Sequence, residues 1–194
     1  MWKEKNYSVE DGWLGGVARR PSPNYDQRPA GQLPELLVIH NISLPPGQFG
    51  GECIEQLFTN CLDWDTHPFF AEIRGLEVSA HLLIRRDGQL VQFVNFLDRA
   101  WHAGKSRHRE RENCNDFSIG IELEGTDEEP YTDAQYSELD AVTRALLRAY
   151  PGIAGGGIVG HCDIAPQRKT DPGPAFDWSR YRLALAHLLE EMPS

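Results

Sequence analysis

Two short apolar runs in this chain each end in a histidine. Leu36-Leu37-Val38-Ile39 leads into His40, and Ile158-Val159-Gly160 leads into His161. Neither approaches the roughly 20 apolar residues needed to cross a bilayer, and no other run does. Both read as short buried strands. Such strands persist only inside a sheet, and the ends of strands in open α/β sheets are where binding sites collect. The chain is thus committed to a sheet that carries two imidazoles at its strand ends.

The remaining pattern supplies the other elements. Val78–Arg86 and Gln89–Asn95 flank Asp87-Gly88, a strong hairpin signal, so the sheet is not purely parallel. Over 116–124, Phe117, Ile119, Ile121 and Leu123 alternate with Ser118, Gly120, Glu122 and Glu124, which predicts one apolar and one polar strand face. Thr132 with Gln135 three residues on forms a capping box. Tyr136, Leu139, Val142, Leu146 and Tyr150 follow at helical spacing, and Pro151-Gly152 ends that helix. Asp177 is placed to cap a last helix with a stripe of Trp178, Tyr181, Leu185, Leu188 and Leu189. Short helices are expected over 53–60 and 67–75. The Pro-rich stretch 20–31 reads as a surface connection. The fold class is therefore α/β (α+β), a single mixed β-sheet flanked by helices. It is expected to form one domain over residues 1–194, with its core over about 12–190.

Composition narrows the function. The 194 residues carry a net charge of −10, which argues against a nucleic-acid backbone as partner. The first residues lead into no apolar signal core, so export is not predicted. A cytoplasmic monomer acting away from membranes is the expectation. Cys53, Cys61, Cys114 and Cys162 form no Cys-x-x-Cys pair and read as reduced, buried and inert. Cys162 next to His161 is poorly placed as a nucleophile if both lie on a strand, where neighbours point to opposite faces.

His40, His161 and a carboxylate near the second histidine would supply three metal ligands and leave a fourth position open, as a catalytic zinc requires. Spacing does not choose between Asp163 and Asp171. His67, His108 and His187 read as structural or solvated. The basic run Lys105, Arg107, Arg109 and Arg111 is an ordinary solvated loop unless it receives carboxylates. Gly155-Gly156-Gly157 is no phosphate loop, because no Gly-Lys-Ser/Thr helix start follows. The stretch 43–66, with Pro45-Pro46-Gly47 and Gly50-Gly51, is a candidate lid.

His40-Asn41-Ile42-Ser43, Val78-Ser79-Ala80-His81, Trp101-His102-Ala103-Gly104, Ser118 to Glu122 and the loop from His161 to Pro174 together resemble one family. It is the zinc-dependent N-acetylmuramoyl-L-alanine amidases related to T7-type lysozyme and peptidoglycan-recognition proteins. The likeness is closest to its 1,6-anhydro branch, which acts in cytoplasmic cell-wall recycling. The resemblance implies the peptidoglycan-recognition/T7-lysozyme-like amidase fold and a small muropeptide substrate. It implies Zn2+ on His40, His161 and Asp171, with Glu122 handling the proton of the attacking water and Lys169 stabilising the oxyanion. Related branches carry a tyrosine just before the residue matching His81. Here that residue is Ala80, which supports Glu122 in the role. Asn41, His81, Trp101 and His102 fall in blocks that shape the substrate site. The alternative is a muropeptide-binding module without catalysis, which in this superfamily loses zinc ligands; all three positions are filled here.

Overall fold

The computed structural model describes residues 5–191, the side chains of 187–191 excepted. Its main sheet has six strands: β1 (Ala18–Arg19), β2 (Leu36–Ile42), β3 (Leu82–Ile84), β4 (Leu90–Gln92), β5 (Ser118–Glu124) and β6 (Ile158–Gly160). The spatial order is β6-β2-β5-β3-β4-β1. Every neighbouring pair is parallel except the β3–β4 hairpin. That hairpin turns at Asp87-Gly88 as predicted, with Gly88 at φ +86°, where a side chain would strain the backbone.

Alternation along the parallel strands sorts their residues between two apolar layers. Leu37, Ile39, Leu82, Ile84, Ile119, Ile121 and Leu123 face one cluster. It is completed by α3 (Asp133–Ala149), α4 (Gly152–Gly156) and α6 (Trp178–Glu191). The opposite side is covered around α1 (Cys53–Phe58) and α2 (Pro68–Glu72), where Leu57, Phe58 and Phe70 pack with Leu83 and Val91. The even-numbered residues of β2 and β5, His40, Ser118, Gly120 and Glu122 among them, point to this second side.

That layering corrects one expectation. The polar face of β5 is not solvated, since all seven of its residues are buried. A central parallel strand is covered on both sides, and its polar residues then need internal partners. Glu124, on the polar face that the alternation predicts, is 1% exposed. It accepts hydrogen bonds from the Gly50 and Arg86 amides at 2.6 and 3.0 Å. In doing so it ties the candidate lid stretch to the sheet. The same stretch buries Leu44, Ile54, Leu57, Phe58 and Leu62.

The predicted capping box is present: Thr132 Oγ1 accepts from the Gln135 amide, and the Gln135 side chain accepts from the Thr132 amide. Such a cap typically stabilises its helix by about 1 kcal/mol. Asp177 caps α6 through the Arg180 amide at 2.9 Å. Leu188 and Leu189 of the predicted stripe, and His187, lie outside the described side chains. All four cysteines are free; Cys114 is buried, but Cys61 is exposed, against expectation.

One half-buried carboxylate on α3 has a measurable consequence. Asp140 has a carboxylate oxygen without a hydrogen-bond partner, and burial raises its carboxyl to about 6, against the opposing pull of Arg180 and Arg144. The folded state therefore binds the proton more tightly than the unfolded chain. The Asp140 contribution to stability falls as pH rises from its usual 3.8 through about 6. Asp140→Asn should raise the melting temperature at pH 8 and leave it nearly unchanged at pH 4. A variant less stable than wild type at pH 8 in thermal unfolding would show that ionised Asp140 is net stabilising.

Candidate metal centre

Register brings the site together. Glu122 on β5 sits directly beside His40 on β2, and Gly160 beside Ile39, so His161 follows at the next level. In-register residues of parallel strands point to one face, which places His40 and Glu122 side by side at the strand ends. His161 is not the last strand residue that its sequence suggested. It opens α5 (His161–Ile164), a single helical turn. Asp163 caps that turn, accepting from the Gly160 amide at 2.8 Å. This leaves Asp171 as the carboxylate that turns inward. Cys162 thus sits in a helical turn, so the strand argument about it lapses. Burial and two nearby carboxylates raise its thiol pKa, which disfavours a thiolate.

His40 Nδ1, His161 Nδ1 and Asp171 Oδ2 form a triangle with sides of 3.0, 3.0 and 3.1 Å. The three side chains are 2%, 3% and 14% exposed. Behind each ring the other nitrogen is already engaged. His161 Nε2 lies 3.2 Å from the Ala103 carbonyl, and His40 Nε2 lies 2.9 Å from His102 Nδ1. A carbonyl only accepts, so His161 Nε2 carries the proton and a neutral His161 is bare at Nδ1. Electron pairs therefore converge on one point, and a positive charge has to lie among them. A proton bridges two of the three atoms, whereas a metal ion takes all three. Tetrahedral bonds near 2.0–2.1 Å space ligands by roughly 3.3 Å, close to the triangle found. Burial pushes the His40 imidazole down to about 4, against the raising effect of Asp171, so the ring stays neutral as a ligand must.

The triangle opens into a cleft of about 290 Å³. Its lining is apolar at Leu57, Phe69, Ile73 and Leu76, supplied from α1, α2 and the segment after it, and polar or aromatic at Asn41, Trp101, Glu122 and Lys169. Glu122 is 9% exposed, and its Oε2 is buried with no hydrogen-bond partner. Burial raises its carboxyl well above the usual range, Asp171 adds to the rise, and Lys169 opposes it. An unpartnered buried carboxylate oxygen is costly in a fold with no use for it. Beside a cleft it is a proton acceptor held ready.

The other predicted residues separate. Trp101 lines the cleft, its backbone amide fixed to Ser79 Oγ at 3.0 Å. Asn41 also lines it, but its amide donates to Asp127 Oδ1 and the Pro172 carbonyl, which holds the loop after Asp171. His81 is fully buried. Its Nδ1 accepts from the Gly120 amide at 3.0 Å, its Nε2 donates to the Asp98 carbonyl at 3.2 Å, and its ring packs on Phe96. The structure thus gives His81 a place in the framework beneath the cleft. His102 borders the cleft with both ring nitrogens engaged internally. The space beside Gly120 is taken by the His102 ring, since a Cβ there would come within 2.5 Å of it. His67 caps α2 and His108 meets the Gly156 carbonyl, as structural readings of both require. Sequence reasoning missed Ser118, Asn115 and Arg28, whose side chains meet the His102 ring, the His102 and Ala103 amides, and carbonyls of residues 96–118 respectively, pairings that chain order does not reveal.

A mixed sheet carrying a His-His-Asp triangle beside a buried glutamate describes a hydrolase centre, and residues 30–174 match the family model for N-acetylmuramoyl-L-alanine amidase. The chain belongs to that family and is an N-acetylmuramoyl-L-alanine amidase. Within the family it is similar to the 1,6-anhydro-N-acetylmuramyl-L-alanine amidase AmpD of Escherichia coli (strain K12). The two are 65% identical over 178 residues, which cover 92% of this chain and 97% of that one. The crystal structure of a selenomethionine AmpD derivative superposes with a TM-score of 0.88 at 61% identity, covering 91% of this chain and 98% of the other. A more distant structure, E. coli AmiD in complex with the substrate anhydro-N-acetylmuramic acid-L-Ala-D-gamma-Glu-L-Lys, matches with a TM-score of 0.56 at 26% identity. It covers 93% of this chain and 66% of that one.

Proposed function

We propose that this amidase hydrolyses the amide between the lactyl group of 1,6-anhydro-N-acetylmuramic acid and the L-alanine of a stem peptide. It would do so as one domain with a single zinc ion, on small recycled cell-wall fragments in the cytoplasm. The observation that carries this reading is the convergence of three electron-pair donors beside a buried, unpartnered glutamate. The substrate follows from the similarity to AmpD, and zinc from the donor set of two imidazoles and one carboxylate.

His40, His161 and Asp171 would hold the ion. When bound, zinc supplies Lewis-acid polarisation of the scissile carbonyl and brings the pKa of water toward about 7. Glu122 Oε2 takes a proton from the attacking water as the oxygen joins the carbonyl carbon. It then passes that proton to the amine of L-alanine as the C–N bond breaks. The products are the lactyl carboxylic acid and the free stem peptide. Lys169, on the cleft wall, faces the developing oxyanion with a fixed positive charge; losing one such donor typically costs on the order of 3 kcal/mol in the barrier.

Mass spectrometry after incubation with anhydro-muramoyl-tripeptide tests the proposal. Free tripeptide plus anhydro sugar is expected, lost on chelation and restored by zinc. Intact substrate with zinc demonstrably bound would instead favour a muropeptide-binding module.

A further inference from the structure

We propose that the loop Trp101–Gly104 sets which nitrogen of each histidine ligand is bare, with His102 as the positioning residue for His40. This rests on the metal site proposed above and extends it to residues that would never touch the ion. The direction of each hydrogen bond can be worked out from the buried end. Ser118 Oγ donates to the Cys114 carbonyl at 2.6 Å, so toward His102 Nε2, at 3.1 Å, it accepts. His102 therefore carries its proton on Nε2, and its Nδ1 accepts from His40 Nε2 at 2.9 Å. That leaves His40 bare at Nδ1, the atom facing His161 and Asp171. The next residue of the same loop does the equivalent for the second ligand, because the Ala103 carbonyl accepts from His161 Nε2.

Two features show that this placement is built in. The Asn115 side-chain oxygen accepts from both the His102 and Ala103 amides, at 3.2 and 2.8 Å, and so fixes the direction of ring and carbonyl together. Gly120 is the seat of the ring: an added Cβ would lie 2.5 Å from His102 Cγ and 2.6 Å from its Nδ1. One four-residue loop thus holds the outer protons of both imidazoles. Partners of this kind orient a ligand and raise its basicity, and losing one typically weakens metal binding by about 10–100-fold.

Zinc affinity by chelator competition, together with the ring N–H signals of the zinc-loaded full-length protein, tests the assignment. His102→Phe keeps a ring of similar size and removes the acceptor. It should weaken zinc binding by at least about tenfold and abolish the slowly exchanging Nε2 proton of His40. His102→Asn puts an oxygen where Nδ1 stood and should restore both. A folded His102→Phe protein with wild-type affinity overturns the proposal, as does equal loss in the Phe and Asn variants, which would mark packing alone. Should His102→Phe fail to fold, Ser118→Ala carries the test, with weaker zinc binding expected and unchanged binding overturning the proposal. Wild-type protein that takes up no zinc would instead defeat the metal site itself.

Discussion

Glu122→Ala should retain its zinc and lose at least about a hundredfold in kcat, the lower end of what a positioned general base contributes. The side chain is not among the three converging ligands, so metal content should stay at the wild-type level. This separates a proton-handling role from a ligand role. The pH profile offers a second check. Burial raises the Glu122 carboxyl, with Asp171 adding and Lys169 opposing. The base is the ionised form, and a raised pKa keeps it protonated to higher pH. The acid limb of kcat/KM should therefore lie above the usual carboxylate range and disappear in the residual activity of Glu122→Ala. Unchanged turnover, or loss of zinc with the side chain, would remove Glu122 from the proton path.

Arg28→Ala should destabilise the fold by on the order of 3–5 kcal/mol, since several carbonyls lose a charged donor at once. Arg28 is 8% exposed, and its guanidinium donates to the Phe96, Asn115, Asp116 and Ser118 carbonyls at 2.8–3.2 Å. Burial lowers its pKa only to about 10, so it remains charged near neutrality. Against a total stability of roughly 5–15 kcal/mol for a domain, that loss should move the urea midpoint far down. Arg28→Lys should rescue little, because a single ammonium cannot span carbonyls arranged for a planar fork. A midpoint within error of wild type would mean that water satisfies those carbonyls as well as Arg28 does. Three of the four belong to 115–118, so the segment that carries Asn115 and Ser118 should loosen with the fold.

The three proposed metal ligands were legible because they end short apolar runs or sit in a dense ionisable loop. The choice between Asp163 and Asp171 was not legible from spacing. Both lie within reach of His161, and only the helical turn beginning at His161 assigns Asp163 to its own cap. The stretch 20–31 looked like a surface connection because its residues are polar and Pro-rich. Arg28 is nonetheless buried, since it meets carbonyls contributed by residues 68 to 90 positions away. His81 and His102 were indistinguishable as side chains, yet the fold places one in the framework and the other against His40.

Local pattern by itself determined five of the six strands of the main sheet, all but Ala18–Arg19, together with the Asp87-Gly88 hairpin, the capped helix after Thr132 and a histidine near the end of two strands. These depend on hydrophobic period, turn chemistry and capping, which act within a few residues. Parallel register, the covering of both sheet faces and the direction of each buried hydrogen bond were decided only in the tertiary structure. A polar group's role depends on which distant donor or acceptor meets it, and chain order does not contain that pairing until the sheet has closed around it.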